Sequence, residues 1–290
     1  CKPKQSSLVM IRYYFYLSMS LFLIAQSDFG QAEIKTLTTM DIAYAGKIFL
    51  NSTLRVSDGI YLEEVVSEYE KFYVRMFAGG NRTVGKILDR KNETLTMYDK
   101  SKKKYSKEIF EEIRNNKGIP LLKDITKFEP GGNNDRSDST TSSASNQTIE
   151  TQREIEQTVS KDYERINNFD CKKIVTVISD VNGSVRIEEW VTTDTAIFSY
   201  VENELRISVS SYNGEYKKPR GSSDWIKAID PKKSTESISG EVIKSIVSWK
   251  NNKGDTSFSM MREVLSAKIV ENDPTSFVLP DKFKKVTNLD

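Results

Sequence analysis

The chain has 290 residues, with 43 basic side chains against 41 acidic ones, and it contains no histidine. Because the charges nearly cancel, nothing in the composition favours nucleic acid or an anionic membrane surface as a partner. The lack of histidine removes the commonest general base and the commonest metal ligand, so most hydrolytic and metal-dependent chemistries lose their usual residues.

The N-terminal part of the chain has the pattern of a secretory signal. Arg12 gives a short positive region, and the apolar run Tyr13–Ala25 follows it. Gly30 and Ala32 place small residues at the −3 and −1 positions of a cleavage site. The run is too short for a membrane-spanning helix, which needs about 20 residues. We therefore expect residues 1–32 to be upstream residues and a cleavable signal, with no transmembrane anchor after cleavage.

The remaining residues, 33–290, are expected to form one exported domain. After cleavage Cys171 is the single cysteine, so no internal disulfide can form and the fold must depend on a hydrophobic core. Export without disulfides favours a bacterial envelope, and hence a periplasmic or extracellular location. Residues 130–147 contain almost no apolar side chain, which predicts a disordered linker that interrupts the domain.

The first half of the domain has the alternating pattern of half-buried strands. In Lys71–Ala78, for example, Phe72, Val74 and Met76 would share one face. Turn residues separate the runs, including Gly79-Gly80. The predicted antiparallel strands are Thr53–Ser57, Ile60–Val66, Lys71–Ala78, Val84–Asp89 and Thr94–Asp99.

Helices are predicted on both sides of the linker. Ile109, Phe110 and Ile113 have helical spacing, Ser106 could cap the first turn, and Gly118 lies past the end. A second short helix is predicted over Leu121–Phe128, a third over Ile149–Ile166, and a fourth at the start of Thr195–Tyr212.

The second half returns to β-structure. Asn182-Gly183, a strong hairpin signal, separates predicted strands Lys172–Ser179 and Ser184–Val191. A second hairpin is predicted from Glu241–Lys250 and Thr256–Val270, and Ser276–Leu279 is a final apolar stretch ended by Pro280.

Trp249 is predicted to lie mostly buried within the second hairpin. Ile243, Val247 and Trp249 alternate along one side of their strand, and the partner strand offers Phe258 and Met260. If this prediction is right, truncating Trp249 should cost about 3–5 kcal/mol, the usual range for a core aromatic residue.

Catalytic signatures are weak throughout the chain. There is no G-x-S-x-G elbow and no histidine to serve a nucleophile. Ser101 and Lys104 fit S-x-x-K, but they lie in a lysine-rich turn, and Cys171 fits a buried structural thiol. Asp180 opens a partial calcium loop that lacks its closing glutamate. We predict that the protein is not an enzyme and holds no metal or cofactor.

Three groups of segments together carry a resemblance to a known family. They are Lys71–Met76, Gly85–Asp89 and Met97–Tyr105; Asn168–Ile174 and Glu188–Thr192; and Ser276–Val286. They resemble a family of bacterial exported proteins, domain of unknown function 4412, which is itself similar to the lipoprotein carrier LolA. In the second group Asn168 and Phe169 replace the family's glycine and tyrosine. The resemblance implies an α+β, mainly β fold, in which a curved antiparallel sheet forms an unclosed half-barrel and helices cover its concave face.

The apolar faces of these strands leave two interpretations open. They could line a cavity for an apolar ligand such as a lipid or a lipoprotein acyl chain, or they could simply form the core beneath the helices. The first interpretation predicts a non-enzymatic binding protein of the envelope. The second predicts a structural or interaction module that binds another envelope protein. The candidate lining residues are Phe72, Val74, Met76, Val247, Trp249 and Met260.

Overall fold

The computed structural model describes residues 30–127, 153–217, 235 and 238–289. These residues form mainly β-structure with few helices, which confirms the predicted fold class. The strands are β1 (Gln31–Ile42), β2 (Gly46–Ser57), β3 (Ile60–Tyr69), β4 (Arg82–Asp89), β5 (Thr94–Asp99), β6 (Lys104–Ile109), β7 (Glu154–Ile166), β8 (Phe169–Asp180), β9 (Gly183–Thr192), β10 (Glu241–Asn251), β11 (Thr256–Val270) and β12 (Lys284–Lys285). The helices are α1 (Phe72–Phe77), α2 (Phe110–Asn115) and α3 (Ala196–Ser210), with a 3-10 turn at Pro274–Phe277.

All the described strands belong to one sheet. Their order is β12-β6-β5-β4-β3-β2-β1-β11-β10-β9-β8-β7, and every pairing is antiparallel except that of the two-residue strand β12 with β6. In the described part of the chain β7 and β12 do not pair with each other, so the sheet is not closed. The first of the described strands, β1, lies in the middle of the sheet, where it joins β2 on one side to β11 on the other.

The sheet has one apolar face and one mainly polar face. Residues opposite one another on paired strands lie on the same face. Ala32, Val56 and Tyr61 are cross-strand partners and are buried, whereas Glu33 and Arg55 form an ion pair on the other side. We call the first side the inner face and the second side the outer face.

The sheet curls toward β7. Asn167, in the turn between β7 and β8, donates a hydrogen bond from Nδ2 to the carbonyl oxygen of Val264 in β11 at 2.8 Å. Two strands lie between β8 and β11, and in a flat sheet three strand spacings would separate them by about 14 Å. The contact therefore requires a strongly curved sheet, which is the shape that the resemblance implies.

The C-terminal segment crosses the outer face. The side-chain oxygen of Gln31 accepts hydrogen bonds from the backbone N–H of Asp273 and the hydroxyl of Ser276. Further along, Phe277 packs on Leu62, Ile87 and Tyr98, which form a small cluster separate from the main core. The apolar stretch Ser276–Leu279 therefore covers the outer face of the sheet and does not add a strand to it.

Other predicted elements need correction as well. The described part of Ile149–Ile166 forms β7 rather than a helix, and residues 121–127 contain no helix. Ser106 lies within β6 and α2 begins only at Phe110, so Ser106 is not its cap. The two predicted hairpins of the second half and the helix after Thr195 are confirmed.

The predicted signal and linker lie largely outside the described residues. Residues 1–29 and 130–147 are among those that the structure does not describe, so both stay predictions. The predicted start at Glu33 falls inside β1, where Gln31 and Ala32 are already buried and paired with Val270 and Ile269.

Candidate functional site

Helices α2 and α3 cover one half of the inner face, which we call the upper half. Phe110 and Ile113 of α2 are fully buried, and Val201 of α3 joins the same core cluster. The ring of Tyr212 meets that of Phe110 edge-on, with centroids 5.2 Å apart. Beneath them lie inner-face residues of the central strands, including Ile34, Val56, Ile243 and Val264. This half of the inner face is a packed core.

A charged cluster holds residues 119–127 against the upper half. Lys86 contacts the carboxylates of Glu63 and Asp124, each at 2.9 Å. The carboxylate of Glu108 accepts hydrogen bonds from the backbone N–H groups of Leu121 and Leu122. These bonds satisfy polar groups that would otherwise be costly to bury beside the core.

The pKa values in this cluster move in opposite directions. For Asp124, burial raises the pKa, but the charge of Lys86 and hydrogen bonds from Thr126 outweigh it and leave the pKa below its usual value of 3.8. For Lys86, burial lowers the pKa, but Glu63 and Asp124 outweigh it and hold the pKa above 10.5. The ion pair is therefore intact across the whole neutral range.

The other half of the inner face, which we call the lower half, is not covered by α2 or α3. Here β10 faces β11, with Val247 opposite Met260 and Trp249 opposite Phe258. Val247 also meets a cluster formed by Ile178, Val185 and Ile187, which includes no helix residue among those the structure describes. Val247, Met260 and Phe258 are only half-buried, so apolar surface remains accessible on this face.

Trp249 lies on the predicted side of β10 but not at the predicted depth. Its ring contacts that of Phe258, with centroids 6.5 Å apart, as the pairing predicts. However, 48% of its surface is exposed, so the prediction that it is mostly buried is wrong. Trp249 lies near the end of β10, and the main core cluster, to which α3 contributes, does not include it.

Arg262 lies where the two halves meet. It follows Met260 on the inner side of β11, two residues before the fully buried Val264, and its cross-strand neighbours are Thr38 and Ser245. Its side chain is exposed to solvent, yet burial by surrounding protein atoms lowers its pKa, a shift that the charge of Glu241 partly offsets. Sequence reasoning missed Arg262, although its two-residue spacing from Met260 placed it on the same face.

The candidate residues Phe72, Val74 and Met76 do not join this surface. The prediction of a strand over Lys71–Ala78 is wrong, because these residues form α1, an insertion between β3 and β4. Gly80 and Gly79 close the helix with backbone hydrogen bonds to Arg75 and Met76, and both glycines have the positive φ that such a helix end requires. Val74 is half-buried, and Phe72 and Met76 are exposed.

Instead, α1 contributes to an exposed apolar patch at the lower end of the sheet. Phe77 is 84% exposed, and Tyr44, in the turn between β1 and β2, is 92% exposed. The two elements are tied together, because the side chains of Lys71 and Tyr73 both donate to the carbonyl oxygen of Tyr44. We call Tyr44, Phe72, Met76 and Phe77 the rim patch.

A second concave feature lies on the outer face. An open cleft of about 450 Å³ runs between strands β4 to β6 and the C-terminal segment. Ile87, Thr96 and Lys107 form its floor, and Phe277 and Phe283 form one wall. It lies on the opposite side of the sheet from the predicted lining residues, so it has no bearing on a site at the inner face.

The side chains that could support catalysis, Cys171 and Ser101, form hydrogen bonds with the backbone. Burial raises the pKa of the Cys171 thiol to about 11, and its sulfur donates to the carbonyl oxygen of Phe169. The hydroxyl of Ser101 accepts a hydrogen bond from the backbone N–H of Thr83. In the described residues no group of three or more Cys, Asp or Glu side chains is placed to hold a metal ion. None of the described helices is long and apolar enough to cross a membrane.

Comparisons with known proteins give only distant similarities. No protein-family model matches the chain, and no curated protein matches it significantly. Among solved structures, an outer membrane lipoprotein-sorting protein domain from Vibrio parahaemolyticus is 8% identical, with a TM-score of 0.24, over 90% of this chain and 95% of that one. A LolA superfamily protein from Nitrosomonas europaea is 10% identical, with a TM-score of 0.26, over 86% and 90%. A DUF1329 family protein from Desulfovibrio piger ATCC 29098 is 9% identical, with a TM-score of 0.23, over 90% and 95%. At these scores the similarity gives no residue-by-residue correspondence.

Proposed function

We propose that this protein is an exported, non-enzymatic binding protein of the bacterial envelope that holds an apolar ligand, such as a lipid or a lipoprotein acyl chain, against the lower half of its inner face. One observation carries the proposal: Val247, Met260, Phe258 and Trp249 keep accessible surface on the face that forms the core elsewhere. Three of these side chains are only half-buried and Trp249 is half exposed.

The physical argument is the cost of leaving such a surface in water. Binding of a ligand is favoured by about 25 cal/mol for each Å² of apolar surface that the ligand removes from water. The face is a strip of adjacent residues on neighbouring strands, which suits an extended chain better than a compact ring. Met260 adds a flexible side chain that adapts to ligands of different shape. The proposed lining residues are Val247, Trp249, Met260 and Phe258.

The test uses two neighbours on β11 as matched variants. Met260 lies on the inner face and Met261 on the outer face, and both are half-buried. Delipidated protein should bind an apolar fluorescent dye, and added envelope lipid extract should displace that dye. Native mass spectrometry should detect the bound lipid. We expect Met260→Glu to abolish dye binding and Met261→Glu to leave it unchanged. Wild-type protein that binds neither dye nor lipid, or equal losses in both variants, would rule the proposal out.

The rim patch favours a second candidate function, an interaction module that docks on another envelope protein. Phe72, Met76 and Phe77 are exposed on α1, a short helix that packs little against the sheet. Tyr44, in the turn between β1 and β2, is exposed beside them. Contiguous exposed apolar residues of this kind mark interaction sites in soluble proteins.

Site-specific photo-crosslinking would test this alternative. A crosslinker at Phe77 should capture a partner from the envelope, and one at Lys282, exposed on the C-terminal segment, serves as the control. If neither position captures a protein, or both capture the same ones, the rim patch is not a specific docking surface.

A further inference from the structure

The position of Arg262 adds a polar group to an apolar surface. This arginine lies on the inner face between the packed upper half, marked by Val264, and the accessible lower half, marked by Met260. Half-buried Thr38 and Ser245 flank it on the neighbouring strands. The lower half therefore carries a positive charge where it borders the core, and its apolar side chains continue from there toward the rim patch.

The guanidinium of Arg262 is only partly satisfied by the protein. It donates one hydrogen bond, from Nη1 to the carbonyl oxygen of Val242 at 3.3 Å. Among the described residues no carboxylate lies within 4.0 Å of it, whereas several arginines and lysines of the outer face pair with Glu33, Glu188 and Glu263. A guanidinium has five N–H donors in a planar fork, so most of its donors have no hydrogen-bond partner among the described residues.

Two carboxylates lie in the surroundings of Arg262. The charge of Glu241 acts on it, and Glu189 lies one strand further along the same row, beyond Ser245. Both carboxylates have interactions of their own. Neither is within ion-pair distance of Arg262, so the guanidinium keeps its capacity to bind an anion.

We propose that Arg262 binds the anionic head group, a carboxylate or a phosphate, of an amphiphile whose chain lies over Met260, Val247 and the Trp249–Phe258 pair. This inference rests on the proposed function, because it names the ligand class of the same surface. A planar fork of donors matches the oxygens of either head group. From Arg262 to Phe258 is four residues of β-strand, about 13 Å, which is the length of face available to the chain.

The experiment compares three ligands of equal chain length: dodecanoate, dodecyl phosphate and dodecanol. Their affinities are measured by displacement of a neutral apolar dye from wild-type protein, Arg262→Gln, and the control Arg186→Gln, which removes an outer-face arginine paired with Glu188. We expect Arg262→Gln to weaken binding of at least one anionic ligand about tenfold or more, the effect of losing hydrogen bonds to a charged group. Its affinity for dodecanol, and all affinities of Arg186→Gln, should stay unchanged.

The ligands separate the possible outcomes. A loss confined to dodecanoate identifies a carboxylate, and a loss confined to dodecyl phosphate identifies a phosphate. Equal losses for all three ligands, or none, would overturn the role of Arg262 while leaving apolar binding in place. Wild-type protein that binds neither the dye nor any ligand would overturn both proposals. Arg262→Lys, which keeps the charge, should retain more anion affinity than Arg262→Gln and shows that a loss is not due to misfolding.

Discussion

The upper and lower halves of the inner face are built from the same strands and the same alternation of side chains, yet they differ in what covers them. In the upper half α2 and α3 exclude water from Phe110, Ile243 and Val264. In the lower half Val247, Met260 and Trp249 continue the apolar face along the same strands, and the cluster that Val247 joins includes no described helix residue. An apolar pattern therefore identifies the inner face, but the length and position of the covering helices decide whether that face is core or surface.

Truncation of an upper-half residue should have the largest effect on stability. Phe110 is fully buried and contacts Tyr212. We expect Phe110→Ala to lower the free energy of unfolding by about 3–5 kcal/mol, because it removes buried apolar surface and leaves a cavity. The shift of the urea midpoint, at an unchanged slope, measures it. A loss below about 1 kcal/mol would show that the upper half is not a packed core.

Removal of the charge that holds residues 119–127 should have the next largest effect. Lys86→Met leaves the carboxylates of Glu63 and Asp124 facing each other without a cation, and we expect a loss of about 2–3 kcal/mol at pH 7. Denaturation by urea at neutral pH measures it, and Lys35→Met, which removes an exposed lysine from the outer face, is the control.

The same cluster predicts a pH dependence. Because the pKa of Asp124 is lowered on folding, its contribution to stability is complete above about pH 3.8 and is lost as the pH falls through the lowered value. Because the pKa of Lys86 is raised, its contribution is complete below about pH 10.5 and is lost as the pH rises through the raised value. Wild-type stability should fall outside this window, and Lys86→Met should flatten both losses. Identical pH profiles for the two proteins would contradict this account.

Trp249 provides the lower-half counterpart to Phe110. Because 48% of its surface is exposed, we expect Trp249→Ala to cost only about 1 kcal/mol, the order of an ordinary point mutation. If the proposed function is right, the same change should also lower the affinity of the protein for the apolar dye several-fold. A stability loss as large as that of Phe110→Ala, with unchanged dye affinity, would make Trp249 a core residue and remove the contrast between the halves.

The smallest stability effect is expected at the rim patch. Phe77 is 84% exposed, so Phe77→Ser should change the free energy of unfolding by less than about 0.5 kcal/mol. It should also leave dye affinity unchanged, since α1 lies outside the inner face. A lower dye affinity in this variant would extend the ligand surface from the lower half onto the rim patch.

Sequence patterns predicted most of the sheet, and the failures have local causes. In β7, Ile155 and Val159 have the four-residue spacing of a helix, and an irregularity between Val159 and Tyr163 interrupts the two-residue alternation. Pairing with β8 then decides the conformation, and no pattern within the segment reveals it. In α1 the alternation of Phe72, Val74 and Met76 is too short to separate strand from helix.

The candidate site was predicted only in part. Alternation placed Val247, Trp249 and Met260 together on one face, and the structure brings them together. The burial of these side chains could not be predicted in this way. Periodicity gives the face on which a side chain lies, but it does not show which part of that face α3 covers. Arg262 was missed because an arginine in an apolar strand does not fit a core pattern, although this same mismatch gives it functional interest.

The central place of β1 has a consequence for how the protein folds. Among the described strands β1 comes first in the chain, and it pairs with β2 along its length. Its other edge pairs with β11, so Gln31 can meet Val270 only after nearly the whole chain has been made. Such a pairing has a very high contact order, and its loop-closure entropy slows folding. Until β11 arrives, β1 presents an unpaired edge that can pair with other chains. The junction between the two wings of the sheet is thus the contact that should form last, and the step at which aggregation competes with folding.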